Sequence, residues 1–257
     1  MALGPSTRIA RDNWLERLEA QSERLSSGNP WSIQNIAEPT GAGETVLRFE
    51  LRSGDAWSNR SGEITSRAEI ETRERPPIRS VRWYRFEIYL PPDFPTEDTR
   101  LVLAQWHGSD KKYLGEPARS PVMAFRYKSG SFYINLRHST ERIVRSPDTV
   151  PVTELFKISP FPLNAWNDFI VHANWSFDAG GWINIWWNGR RIVQYRGPVG
   201  YNDDLGPYFQ FGLYRDDTDK TYVSYMKQIK MGSQPEDVDF NMPTDSPLFP
   251  ADTARRR

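Results

Sequence analysis

The stretch Tyr208-Phe209-Gln210-Phe211-Gly212-Leu213-Tyr214-Arg215 alternates strictly. Phe209, Phe211 and Leu213 fall on one face, and Tyr208, Gln210, Gly212 and Tyr214 on the other. Side chains on a strand point to opposite faces with period two, so this reads as one strand with an apolar back and a polar front. The front offers two phenols, an amide and a glycine that lets something approach closely. Taken alone, it is either the floor of a working groove or a half-buried strand with solvated tyrosines. Its neighbours have to decide.

Three other segments carry polar residues at same-face spacing. Arg67, Glu69 and Glu71 share a face, with Ala68 and Ile70 behind. Gln105 and His107 share another, backed by Ala104 and Trp106, and Tyr133, Asn135 and Arg137 a third, backed by Phe132, Ile134 and Leu136. If these are the concave face of one curved sheet, they converge on a common trench. Further alternating runs stand at Glu44 to Arg52, Trp83 to Leu90, Asp168 to Trp175, Trp182 to Trp187 and Tyr222 to Met231. Asn188-Gly189 is a strong hairpin signal, and Lys128-Ser129-Gly130-Ser131 joins another pair of strands. A Pro-interrupted segment spans 151–162.

Many short aromatic-rich strands broken by turns predict an all-β fold: a β-jelly roll sandwich of two curved antiparallel sheets, with a short N-terminal helix. That helix is expected over 11–26, where Trp14, Leu15, Leu18 and Leu25 recur at near-helical spacing behind a cap at Asp12 or Asn13. The expected division is an N-terminal extension (1–30), one sandwich domain (31–233) and a loosely attached tail (234–257).

The chain of 257 residues has 33 basic and 33 acidic side chains, so no global field draws it to nucleic acid or a membrane. It has no cysteine, which excludes disulfides, thiolate metal sites and a cysteine nucleophile. No apolar run approaches the ~20 residues of a membrane span, and the N-terminus lacks the apolar core of a signal peptide.

Arg67-Ala68-Glu69-Ile70, Gln105-Trp106-His107 and the opening stretch resemble the three signature strands of jelly-roll polysaccharide lyases. Those are the alginate lyases and the related glucuronan lyases and heparin lyase I. Trp83 to Pro91 and Gln105-Trp106-His107-Gly108 look closer to the heparin-lyase and glucuronan-lyase branch. The resemblance covers roughly residues 31–233 and implies a concanavalin A-like sandwich that cleaves a uronic-acid polymer by β-elimination, with no cofactor.

By that resemblance Gln105 and Arg67 neutralise the substrate carboxylate, Tyr214 is the catalytic phenol and His107 its partner. The chemistry needs such a set. A proton beside a carboxylate is a poor acid, because its removal piles charge onto an anion, so hydrogen bonds must meet that charge as it develops. A guanidinium grips both carboxylate oxygens. Imidazole and phenol, titrating near about 6.5 and about 10 when unperturbed, can exchange protons once a site adjusts them. Where H5 and O4 lie on one side of the ring, as in glucuronate or mannuronate, Tyr214 serves as both base and acid. Where they lie on opposite sides, as in guluronate or iduronate, His107 abstracts and Tyr214 donates. The family's lysine, four residues before the tyrosine, is Gln210 here, which points away from heavily sulfated chains and toward a plain polyuronate.

Substrate contacts are expected from Arg137, Gln210, Tyr208, Asn135, His138 and Glu69. For Glu69 the alternatives are orienting Arg67 or solvating the strand, and for His138 a groove or a structural role. His172, inside Phe169 to Trp175, is expected to be packed. Trp182, Trp186 and Trp187 either stack on sugars or fill the core. Asp216-Asp217-Thr218-Asp219 and Asn202-Asp203-Asp204 offer the oxygen ligands that suit a structural calcium, without EF-hand spacing. Two competing functions share the architecture: a non-catalytic carbohydrate-binding module, and a sandwich glycoside hydrolase using Glu69 and Glu71. A monomer acting on an acidic polysaccharide, secreted or periplasmic because such polymers are mostly extracellular, is the expectation for partners and location.

Overall fold

The computed structural model describes residues 14–58, 62 and 64–241. The capping candidates Asp12 and Asn13, and the tail beyond 241, lie outside them. The chain opens with α1 (Trp14–Ala20), β1 (Ser22–Ser26), β2 (Ile33–Ala37), β3 (Thr45–Leu51), β4 (Trp57–Ser58) and β5 (Ile64–Thr72). There follow β6 (Val81–Tyr89), β7 (Leu101–His107), β8 (Met123–Lys128), β9 (Ser131–Ser139) and β10 (Val152–Ile158). The last are β11 (Trp166–Asn174), β12 (Trp182–Trp187), β13 (Arg190–Arg196), β14 (Gly200–Tyr201), β15 (Tyr208–Arg215) and β16 (Tyr222–Gly232).

These strands form two sheets. One has seven strands in the order β13-β12-β11-β6-β16-β3-β2. The other has nine, with β1-β5-β15-β7-β8-β9-β10 in line, β4 on β5, and β14 alone pairing in parallel, on β9. The orders correct the expected jelly roll of two curved sheets. Each main path runs from one edge strand to another, β1 to β10 and β13 to β2, so these are open layers that neither curl up nor close into a barrel. Closure requires the two edges to pair with each other, and here they do not. The architecture is an open antiparallel sandwich with one short helix.

The apolar backs of both sheets meet between the layers. Trp106 of β7 stacks on Phe209 of β15 with ring centroids 4.7 Å apart, and Phe86 of β6 and Phe125 of β8 pack at 5.4 Å from opposite layers. All four rings are at most 1 % exposed. Truncating any one would cost about 3–5 kcal/mol.

The long helix expected over 11–26 is corrected as well. It stops at Ala20, and Ser22–Ser26 turns into an edge strand on β5, with Leu25 opposite Glu69. A long-range ladder outweighs the local helical spacing. The Pro-interrupted segment contains strand β10, which the sequence reading missed because none of its residues is fully buried and a bulge between Glu154 and Phe156 breaks its alternation. The two-residue Asn188-Gly189 turn joins β12 to β13 with φ of 49° and 78°, as its left-handed preference requires. Val238 and Phe240 of the expected loose tail are buried on Trp83 and Trp186. Trp182, Trp186 and Trp187 pack among core side chains, and His172 stacks on Trp83 at 3.6 Å.

Candidate active site

Three consecutive neighbours, β5-β15-β7, carry the three signature segments side by side. Register sets Arg67 opposite Tyr214, Gly212 opposite Glu69, and Gln210 opposite both Glu71 and Gln105, with Tyr208 opposite His107. The polar faces therefore line up in rows across strands rather than scattering. Arg67, Gln105, His107, Tyr208, Gln210 and Tyr214 line one open cavity of about 710 Å³.

Glu69 ties the set together from beneath. It has no exposed surface, accepts a hydrogen bond from Gln105 Nε2 at 2.7 Å, and lies 2.9 Å from Arg67 Nε through its other oxygen. Burial pushes its carboxyl above the ordinary range, against the pull of Arg67 and Gln105. The Arg67 guanidinium carbon stands 4.7 Å from the Tyr214 ring, whose other cationic neighbour, Arg100, is at 5.2 Å. Arg100 is itself held by Asp216, which raises the guanidinium's pKa further.

A second pair repeats the pattern one step along. Gln210 Nε2 donates to Glu71 at 2.7 Å, and Glu71 is bound to Arg75 at 2.6 Å. Arg75 covers the Tyr208 ring at 3.8 Å. Burial, and secondarily Glu71, pushes the Tyr208 phenol well up, so it keeps its proton.

His107 stacks on Tyr208 with centroids 5.6 Å apart, and its Nδ1 is 2.8 Å from the Gly108 carbonyl oxygen. A carbonyl only accepts, so Nδ1 carries the proton and the lone pair of a neutral ring sits on Nε2. Gly108 lies hard against a buried ion cluster. A Cβ there would fall 2.4 Å from Asp203 Oδ2, and Asp203 is bound by Lys111 at 2.7 Å and Arg119 at 2.9 Å. That cluster anchors the loop that supplies Asp110, Lys112 and Ala118 to the cavity wall.

Tyr214 owes its placement to the residue two before it. Gly212 has φ of 131°, and the pairing of β15 with β7 shifts register between Phe211 and Tyr214. A Cβ at Gly212 would meet the Ala68 carbonyl at 2.4 Å. Only glycine accepts both constraints.

The remaining expected residues stand elsewhere. Asn135 is opposite Ala124 and Glu154, and Arg137 donates to the Val150 carbonyl at 2.8 Å, both on the far side of β8. His138 lines a separate cavity with Glu141 and Thr149. Sequence reading missed Arg126, which lines the cavity from β8. The signal was present, since Met123, Phe125 and Tyr127 form the apolar back of that strand and Arg126 faces forward. Of the two acidic turns, Asp216 pairs with Arg100, Asp203 with Lys111 and Arg119, and Asp204 with Arg142. Among the described residues no group of three or more His, Asp or Glu side chains is placed to hold a metal ion, and no helix is long and apolar enough to cross a membrane.

Comparison with known proteins follows the same lines. Residues 12–230 match the family described as polysaccharide lyase. Among solved structures, an endo-beta-1,4-glucuronan lyase from the fungus Trichoderma reesei is similar at a TM-score of 0.69 and 14 % identity, over 83 % of this chain and 92 % of that one. The alginate lyase AlyC3 gives 0.59 and 14 %, over 90 % and 99 %. The alginate lyase vAL-1 from Chlorella virus gives 0.57 and 11 %, over 86 % and 97 %. No curated protein matches the chain.

Proposed function

The chain belongs to the polysaccharide lyase family and is an enzyme of that kind; on that premise we propose that it cleaves a plain polyuronate of the glucuronan or alginate type by β-elimination at the β5-β15-β7 cavity. Arg67 and Gln105 receive the carboxylate of the reacting uronate. As its charge grows, the guanidinium and the amide hydrogens meet it, which lets the C5 proton leave. Tyr214, entering the step as phenolate, takes that proton, the C5–H electrons form the C4=C5 double bond, the C4–O4 bond breaks, and O4 leaves with the proton of the phenol just formed, which restores the phenolate. The Arg67 and Arg100 guanidinium carbons stand 4.7 and 5.2 Å from the ring centre, on the path of the developing charge.

The observation that carries this reading is Glu69, buried between Arg67 and Gln105 and touching both. A carboxylate there serves neither a hydrolase, since it faces no solvent, nor a binding module, which needs no such anchoring of two cationic and amide donors. Strand register supports the one-phenol route. Tyr214 stands opposite Val102, five positions along β7 from His107, or about 17 Å of backbone at ~3.4 Å per residue. A uronate with H5 and O4 on the same side, as in glucuronate or mannuronate, needs only Tyr214. A second reading rests on the stacked His107 and Tyr208: the Nε2 lone pair abstracts and the Tyr208 hydroxyl, kept protonated, donates.

The test is turnover of polyglucuronate, polymannuronate and polyguluronate, followed by the ultraviolet absorbance of the unsaturated product. Tyr214→Phe should lower kcat by at least about 10³-fold on the first two, with Tyr208→Phe retaining activity. Reducing ends without that absorbance would mean hydrolysis, and binding without either would mean a module. An active Tyr214→Phe beside a dead Tyr208→Phe would transfer the role to the second pair.

A further inference from the structure

Among the described residues Arg126 has no counter-ion. Its Nε is buried without a hydrogen-bond partner among the described residues, and no carboxylate among them pairs with it. Burial, its dominant influence, and the nearby Arg100 and Arg137 all push its pKa down. The neighbouring cations are already engaged, Arg100 by Asp216 and Arg137 by the Val150 carbonyl. Arg126 is half-buried, and a charge partly withdrawn from water is ordinarily paired. Arg126 nevertheless stands on the cavity wall, opposite Val102 on β7 and Tyr133 on β9.

Its place relative to Tyr214 is specific. The row across the sheet reads Arg67, Tyr214, Val102, Arg126, so Arg126 lies on the opposite side of the phenol from Arg67. Three strand spacings of ~4.8 Å put about 14 Å between the two arginine backbones. Arg67 is anchored to Glu69 on its own side, and among the described residues no carboxylate anchors Arg126. We propose that Arg126 is a specificity-determining binding residue that grips, through its planar fork, the carboxylate of the uronate adjoining the one that reacts. The inference rests on the polyuronate reading above. It favours an acidic sugar beside the reacting one, where the reaction itself requires only one carboxylate.

The test compares wild type, Arg126→Met and Arg126→Lys on polyglucuronate, with kcat and KM resolved. Arg126→Met is expected to raise KM about tenfold with kcat within about twofold. Arg126→Lys should fall between, because it keeps the charge and loses the fork. KM at the wild-type value in both variants overturns the proposal, as does a fall in kcat with KM unchanged, the sign of mere packing. Should Arg126→Met fail to fold by circular dichroism, Arg126→Lys decides alone: a severalfold rise in KM supports the proposal, and an unchanged KM overturns it. A wild type that releases no unsaturated product from any polyuronate sinks the substrate reading and this inference with it. An active wild type with indifferent variants sinks only this inference.

Discussion

Glu69 Oε1 accepts a hydrogen bond from Gln105 Nε2 at 2.7 Å across the β5-β15-β7 layer, where no solvent reaches the carboxylate. Its other oxygen faces Arg67, so one buried anion orients both groups proposed to receive the substrate.

Glu69→Gln keeps the shape and an acceptor for Gln105 but removes the charge opposite Arg67. The expected result is a fall in kcat of about 10²-fold, from donors displaced by a fraction of their length. Stability should move the other way with pH. The Glu69 carboxyl titrates above its ordinary 4.5 in the folded state. Its contribution is therefore fully present below that value and is lost as pH rises through the folded-state pKa. Wild type should lose ground to Glu69→Gln in urea midpoint as pH rises from ~4 through the folded-state pKa. A difference that is flat over that range would refute the burial argument.

Gly212→Ala sets a methyl against the Ala68 carbonyl and the Phe49 ring, at a φ that other residues avoid. A loss of about 2–4 kcal/mol in urea unfolding is expected, from overpacking and backbone strain together. Activity should fall further than stability at temperatures where the variant stays folded, because the bulge aims Tyr214.

Asp203→Asn leaves Lys111 and Arg119 short of an anion in a buried place. Breaking such a cluster from one side costs about 3–5 kcal/mol. Because Gly108, whose carbonyl accepts the hydrogen bond from His107 Nδ1, leans on Asp203, the His107 ring should also lose its fixed tautomer. The check is a denaturation curve together with the imidazole nitrogen shifts in NMR.

His172 carries a different pH signature. Burial against Trp83 and Trp182 pulls its pKa down to about 3. The unfolded ring binds a proton below its ordinary 6.5 and the folded one does not, so stability is full above 6.5 and is lost as pH falls toward 3. The slope approaches about 1.4 kcal/mol per pH unit in that window. His172→Leu should remove it, as read from urea midpoints taken across the window.

Much of the site was legible because strand faces follow from sequence parity. Arg67 and Glu69, Gln105 and His107, and Tyr208, Gln210 and Tyr214 share the faces their spacing predicts. Asn135 and Arg137 also share a face, but β8 stands between their strand and the cavity, and no local pattern encodes that interval. Arg126 went unnoticed for the converse reason. A lone arginine on a strand looks solvated until its neighbours are known to leave it without an anion. The N-terminal segment misled because Trp14, Leu15, Leu18 and Leu25 satisfy helical spacing, while Leu25 in fact stands opposite Glu69 on a strand laid on β5, at the cavity wall.

By itself the sequence determined the alternation: which side chains back onto the core, which face outward, and where Asn188-Gly189 must turn. Those are local consequences of a two-residue period and of backbone sterics. Only the tertiary structure decided that the layers stay open, that β15 lies between β5 and β7, and that Glu69 reaches both Arg67 and Gln105. Strand order and register arise from packing between segments far apart in the chain. The burial of a charge, and hence what it must pair with, exists only after that packing is complete.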